Sequence, residues 1–132
     1  MRETTTAPPL AWSRAFTATP EQVREARRFL AGILGGSPVA DDAILCLSEL
    51  VTNAILHSRS REPNGQFSVR VQLHGSRLRV EVSDQGGPWI QAADTDEQHG
   101  RGLLVVRRLA RDWGRTGGDK AGWTVWFEVE CP

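Results

Sequence analysis

Glu49, Asn53 and His57 stand at i, i+4 and i+8 of one helical pattern, inside the stretch LSELVTNAILHS that runs from Leu47 to Ser58. That spacing makes them a row of acid, amide and imidazole along one side of a helix. Such a row offers a proton acceptor, a neutral oxygen ligand and a second titratable group to whatever lies opposite. Ala43, Ile44, Leu47, Val51, Ala54 and Ile55 fall on one broad apolar face at about 100° per residue, so the row is expected on roughly the opposite side. Leu45 and Leu56 flank the row, where a solvent-facing stripe usually has Lys, Arg or Glu. This predicts a helix covered on both sides, with its polar row facing a cleft. A buried helix with a few polar residues at its exposed edge would read the same way.

A second group with chemical potential is Asp84. It shares the parity of Leu78, Val80 and Val82, so a strand continued that far turns its carboxylate to the buried side. A carboxylate there is costly unless it meets donors. The alternative is that the strand has ended and Asp84 caps the turn Gln85-Gly86-Gly87-Pro88; parity leaves the two open. A third signal is Gly100-Arg101-Gly102, followed at helical spacing by Leu103, Val106, Leu109 and Ala110. Glycines before a helix let the backbone approach a ligand, and the first-turn N–H groups attract anions.

These groups need elements to hold them. Residues 1–9, with Pro8 and Pro9, read as a disordered lead-in. Leu10, Trp12 and Phe16 give a first strand at a sheet edge. Thr19-Pro20-Glu21 starts a helix with Thr19 as N-cap, carried by Val23, Ala26, Phe29, Leu30 and Ile33 and ended by Gly35-Gly36. Ser37-Pro38 opens the central helix, with Asp41 and Asp42 in its first turn. Arg59 to Gln66, with Pro63-Asn64-Gly65, is a turn. Phe67 to Leu73 and Leu78 to Val82 alternate about His74-Gly75-Ser76, which is a hairpin with one apolar face. Trp89 to His99 is polar and acidic without apolar periodicity, a loop of the length used for mobile lids. Trp113 begins a short strand, Thr116 to Gly122 turns, and Trp123 to Glu130 forms the last strand.

Composition narrows the function classes. The chain has 132 residues, enough for one domain, and its 16 basic and 16 acidic residues leave no net charge. Nothing global therefore favours nucleic acid or anionic lipid. Lys120 is the single lysine against fifteen arginines, spread too evenly for a binding patch. Cys46 and Cys131 form neither a disulfide framework nor a zinc pattern. With no signal peptide and no apolar run of membrane-spanning length, a soluble cytoplasmic protein is expected.

An acid and an amide one turn apart, an inward Asp after a hairpin, a glycine-bearing helix start and a late Thr-bearing strand occur here in one order. That order resembles the GHKL (histidine kinase-like) ATPase superfamily, which includes gyrase-type, heat-shock-chaperone, histidine-kinase and mismatch-repair ATPases. The resemblance runs from about Leu10 to Pro132. It looks most like the small bacterial anti-sigma factor serine/threonine kinases of partner-switching systems: ELVTNAILHS resembles their helix motif and HGRGLLVVRRLA their second glycine box. It implies an α/β fold of the α+β two-layer sandwich kind. This is the Bergerat-type ATP-binding fold, a mixed, mostly antiparallel sheet covered on one face by about three helices, in a single domain over 10–132.

The resemblance also implies roles. Asn53 matches the asparagine that binds the magnesium ion bridging the nucleotide phosphates, and Glu49 the acid that serves as general base or orients the nucleophile. His57 lies one turn beyond the metal ligand. Asp84 matches the aspartate that hydrogen-bonds the adenine amino group, with Gly86 allowing close approach. Gly100, Arg101, Gly102 and Leu103 match the box that lines the phosphates, and Thr124, in GWTVW, a threonine that helps hold adenine. The first glycine box departs from DxGxG: it reads DQGGP, and Pro88 lacks an N–H. Trp123 stands where those kinases often have a small or polar residue. The expected cofactors are ATP and Mg2+, because without a GxxxxGK[ST] loop the phosphate charge must be met by a hard cation with oxygen ligands.

The function implied is an ATP/Mg-dependent serine/threonine protein kinase that acts as an anti-sigma factor. Its partners would be a sigma factor and an antagonist (anti-anti-sigma) protein, with no direct nucleic acid, no membrane and a possible homodimer. A non-catalytic ATP-binding regulator of the same fold is the main alternative. A histidine-kinase-type catalytic domain is a further one.

Overall fold

The computed structural model describes residues 10–57, 65–86, 104–118 and 120–131. The chain forms β1 (Leu10–Thr17), α1 (Glu21–Leu34), α2 (Ala40–His57), β2 (Gln66–His74), β3 (Arg77–Ser83), α3 (residues 104–109), β4 (Asp112–Gly118) and β5 (Gly122–Glu130). Outside the described residues lie the lead-in 1–9, most of the turn after α2, the Trp89–His99 loop, Pro88, and Gly100, Arg101, Gly102 and Leu103.

Alternation decides the sheet. Phe67, Val69 and Val71 of β2, Leu78, Val80 and Val82 of β3, and Val125, Phe127 and Val129 of β5 are all buried, and their neighbours are not. Period-2 apolarity puts these residues on one side of a pleated sheet, where the helices cover them. The strands run β1-β2-β3-β5-β4, and every described pairing is antiparallel. β1 is an edge strand, as expected, and its Phe16 ring stacks on Phe67 at 5.2 Å between centroids. The β2–β3 hairpin turns through Gly75 with φ of 62°, the left-handed conformation that a two-residue turn of this kind demands.

β4 was not legible as a strand of this length. Its sequence DWGRTGG carries no alternation, so the turn was expected to begin at Thr116, yet pairing continues to Gly118↔Gly122. Two glycines allow it: Gly117 has φ of 110° and Gly122 φ of 93°, and a Cβ on Gly117 would run into the Gly122 carbonyl. At the other end Arg111 bonds Glu130, and its N–H donates to the Glu128 carbonyl.

α1 and α2 pack on each other, and α2 lies on β2, β3 and β5. α1 starts without the expected Thr19 side-chain cap. Pro20 holds the N-cap position in helical geometry, and the first turn is closed by the Gln22 and Val23 N–H groups donating to the Thr19 and Pro20 carbonyls. It ends at Gly35, as expected, with φ of 57° and its N–H on the Ala31 carbonyl. α3 presents Val106, fully buried, to the core. Among the described residues no helix is long and apolar enough to cross a membrane.

The side of α2 that carries Leu45 and Leu56 is not covered as expected. Ala43, Cys46, Leu47, Leu50, Val51 and Ala54 are buried, while Leu45 is 47% and Leu56 51% exposed. The apolar flanks of the polar row therefore lie on the outer side of the helix. Accordingly, Leu47→Ala should lower stability by about 2–5 kcal/mol, and Leu45→Ala by less than about 0.5 kcal/mol. Urea denaturation of the two variants measures both.

Candidate functional site

Asp84 follows β3 directly and stays in its ladder: its N–H donates to the Trp123 carbonyl at 2.9 Å. The parity of the strand is thus kept, and the residue falls on the helix-covered side with Val82. Its Oδ1 accepts the Gly86 N–H at 2.7 Å and the Trp123 N–H at 3.1 Å. Both readings of Asp84 were therefore partly right. It caps the local turn, and it does so from the inner face, tying the end of β3 to the start of β5. Gly86 is buried with φ of 82°, so the turn that delivers its N–H needs glycine. Burial raises the Asp84 carboxyl above its ordinary value, and the two N–H groups pull it back down. Both of these bonds end on Oδ1.

Asn53 comes from the opposite layer. It is 8% exposed, and its Nδ2 has no hydrogen-bond partner among the described residues. A buried amide left without a partner is expensive. The row it belongs to is not opposite the apolar face. Steps of four residues advance about 40° beyond a full turn, so the row winds from half-buried Glu49 to buried Asn53 at the edge of the packed face. His57 ends α2; its backbone is helical and its side chain lies outside the described residues. Asn53 thus belongs to the helix layer and Asp84 to the sheet layer.

Glu49 sits one turn before Asn53, half-buried, close enough for its charge to act on Cys46. Burial first, then Asp42 and Glu49, push the Cys46 thiol up to about 11, so this buried sulfur stays a neutral core group at pH 7. Among the described residues no group of His, Cys, Asp and Glu could hold a metal ion. A hard cation would instead need neutral or ligand oxygens, and the Asn53 amide fits that requirement: its oxygen suits a cation and its unpartnered NH2 suits a phosphate oxygen.

Thr124 is not brought to this side. It pairs with Ser83, and the two hydroxyls are 2.8 Å apart on the face opposite to Val82 and Val125. The residue that Asp84 meets is Trp123, whose backbone closes the ladder and whose side chain shares the inner face. A one-residue step in a strand exchanges faces, so Thr124, expected beside adenine, lies on the other side of the sheet from Trp123. The available signal was the alternation of Trp123 with Val125, Phe127 and Val129.

A cavity of about 670 Å³ lies along α1, among Arg14, Arg24, Arg27, Arg28, Glu21 and Glu25, and contains none of these groups. It is a groove between solvated side chains, with Arg28 and Glu25 paired at 3.1 Å.

Comparison with known proteins agrees with the fold. Residues 16–128 match the model of the histidine kinase-like ATPase domain. The chain is 28% identical over 113 residues to the serine-protein kinase RsbW of Listeria innocua, covering 72% of each chain. It is 31% identical over 110 residues to RsbW of Bacillus velezensis, covering 70% of this chain and 69% of that one. A Mycobacterium tuberculosis crystal structure of RsbU and RsbW domains superposes with a TM-score of 0.71 at 23% identity, over 95% of this chain. The match spans 32% of that longer chain.

The raised Asp84 carboxyl has a stability consequence. The folded state binds that proton more tightly than the unfolded one, so this group makes the fold less stable as pH rises from the unfolded carboxylate value through the raised one, and adds no further change above it. The Asp84→Asn variant lacks this titration. Its urea midpoint should gain on that of the unmodified chain as pH rises through the acidic window, then run parallel; a gap that moves the other way would mean that the two N–H groups outweigh burial.

Proposed function

This chain belongs to the histidine kinase-like ATPase domain family, and from that premise we propose that it is an ATP- and magnesium-dependent serine/threonine protein kinase acting as an anti-sigma factor. What supports the reading is a half-buried carboxylate, Asp84, at the end of β3 in the sheet layer, together with a buried amide, Asn53, in the helix layer whose NH2 has no hydrogen-bond partner among the described residues. The name serine-protein kinase borne by its relatives supports the kinase half. Its partners are then a sigma factor and the antagonist protein that releases it.

The assigned chemistry is simple. Asp84 Oδ2 accepts the adenine amino group, which favours ATP over GTP because guanine presents a carbonyl at that position. Asn53 would hold magnesium through its amide oxygen. When bound, the ion supplies neutralisation of phosphate charge. Glu49 takes the proton from the incoming serine or threonine hydroxyl. That oxygen forms a bond to the γ-phosphorus as the bond from phosphorus to the ADP oxygen breaks. By the resemblance, the glycine box from Gly100 to Leu103 would line the phosphates, and His57 follows Asn53 by one turn in sequence. Pro88 favours a second reading, in which ATP binds without transfer and only alters partner affinity, since the proline removes an N–H from the first glycine box.

Two variants test the assignments. Glu49→Gln should bind ATP within about threefold of the unmodified chain while phosphoryl transfer to an antagonist protein falls by about 10²–10⁴. Transfer undiminished in that variant would remove the base. Asp84→Asn should weaken ATP binding by about 10- to 100-fold, the value of a charged hydrogen bond, and calorimetry reads it directly.

A further inference from the structure

A base held only by its edge leaves two π-faces uncovered, and the residues beside Asp84 on the inner face decide what covers them. The nearest is Trp123. Its N–H donates to Asp84 Oδ1 at 3.1 Å and its carbonyl accepts the Asp84 N–H at 2.9 Å, so indole and carboxylate share one backbone junction. The junction is tight. A Cβ on the preceding Gly122 would stand 2.6 Å from the Asp84 carbonyl oxygen, which fixes how close Trp123 comes. On the neighbouring strand, Arg115 pairs with Val125 and thus lies on the same face; its guanidinium sits 4.5 Å from the Trp123 ring centroid. The indole is half-buried, packed against the core on part of its surface and braced by a cation over the ring.

We propose that Trp123, braced by Arg115, is the aromatic wall on which the nucleobase stacks when its edge meets Asp84. This inference rests on the nucleotide-binding reading above. It divides base selection in this chain between a carboxylate that reads the edge and an indole that covers the face. Stacking is tolerant of base identity because every base has a π-face, so Trp123 contributes affinity to any base, while Asp84 adds both affinity and the choice among purines.

The test compares the unmodified chain with Trp123→Thr, Trp123→Phe and Asp84→Asn by calorimetry, using ATP and inosine triphosphate, which lacks the 6-amino group. Trp123→Thr should weaken both nucleotides by about tenfold with their ratio kept, and Trp123→Phe should stay within about threefold for both. Asp84→Asn should collapse the ratio. The part of the ATP-induced change in tryptophan emission that belongs to Trp123 should vanish in Trp123→Phe, and this arm decides the matter if Trp123→Thr fails to fold. ATP binding by Trp123→Thr as tight as, or tighter than, that of the unmodified chain overturns the stacking role, as does an emission change identical in Trp123→Phe. If the unmodified chain binds no nucleotide, this inference and the reading beneath it fall together. If it binds and only the Trp123 arms fail, the reading stands alone.

Discussion

The junction of Asp84 with Gly86 and Trp123 is the constraint on which the rest depends. A carboxylate facing the interlayer space must be compensated, and here one of its oxygens receives two backbone N–H groups from opposite sides. One donor belongs to the turn that leaves β3 and the other to the first residues of β5. The same contact therefore ends one strand and registers the next. Burial still dominates its titration, so the group is kept at some cost to the fold.

The two faces of the sheet divide the labour. On the inner face the apolar rows of β2, β3 and β5 receive the helices, and the row on β3 ends in Asp84. The outer face carries the complementary row. Arg79 bonds Glu81 at 2.8 Å and Glu128 at 3.1 Å, and lies over the Trp126 ring at 4.0 Å. Trp126 in turn covers Gly114, where any Cβ would meet the indole at 2.7 Å. These partly exposed pairs contribute little stability individually, but they give each strand a polar side, and so fix which side faces the helices. Thr124 belongs to this outer row, and Trp123 to the inner one.

Much of this was readable where a period was strong. The hairpin, the edge strand, Gly35 as the end of α1 and the inward parity of Asp84 all follow from alternation or from the conformational needs of glycine. The facing of α2 was misjudged because a row of i, i+4 positions is not parallel to the helix axis: its drift carries Asn53 toward the core and leaves Leu45 and Leu56 outside. β4 escaped because Gly114, Gly117 and Gly118 supply no side chain to alternate, and its pairing is dictated by close backbone approach rather than by apolarity. The face of Thr124 was not legible from the motif, because motif matching does not fix strand parity, whereas Val125, Phe127 and Val129 do. The second glycine box was legible as a motif only; its geometry is outside the described residues.

Family membership over 16–128 and the RsbW likeness carry the fold and the nucleotide class. The central claim is narrower: the Asp84 junction and the Asn53 amide belong to one nucleotide site built from both layers. Its most direct measurement is a titration of the isotopically labelled chain with magnesium-ATP, followed by NMR at the backbone N–H groups of Gly86 and Trp123 and the side-chain NH2 of Asn53. The account predicts that all three signals move together along a single saturable curve. Signals that titrate with different affinities, or an Asn53 amide that stays still while Gly86 and Trp123 shift, would contradict it.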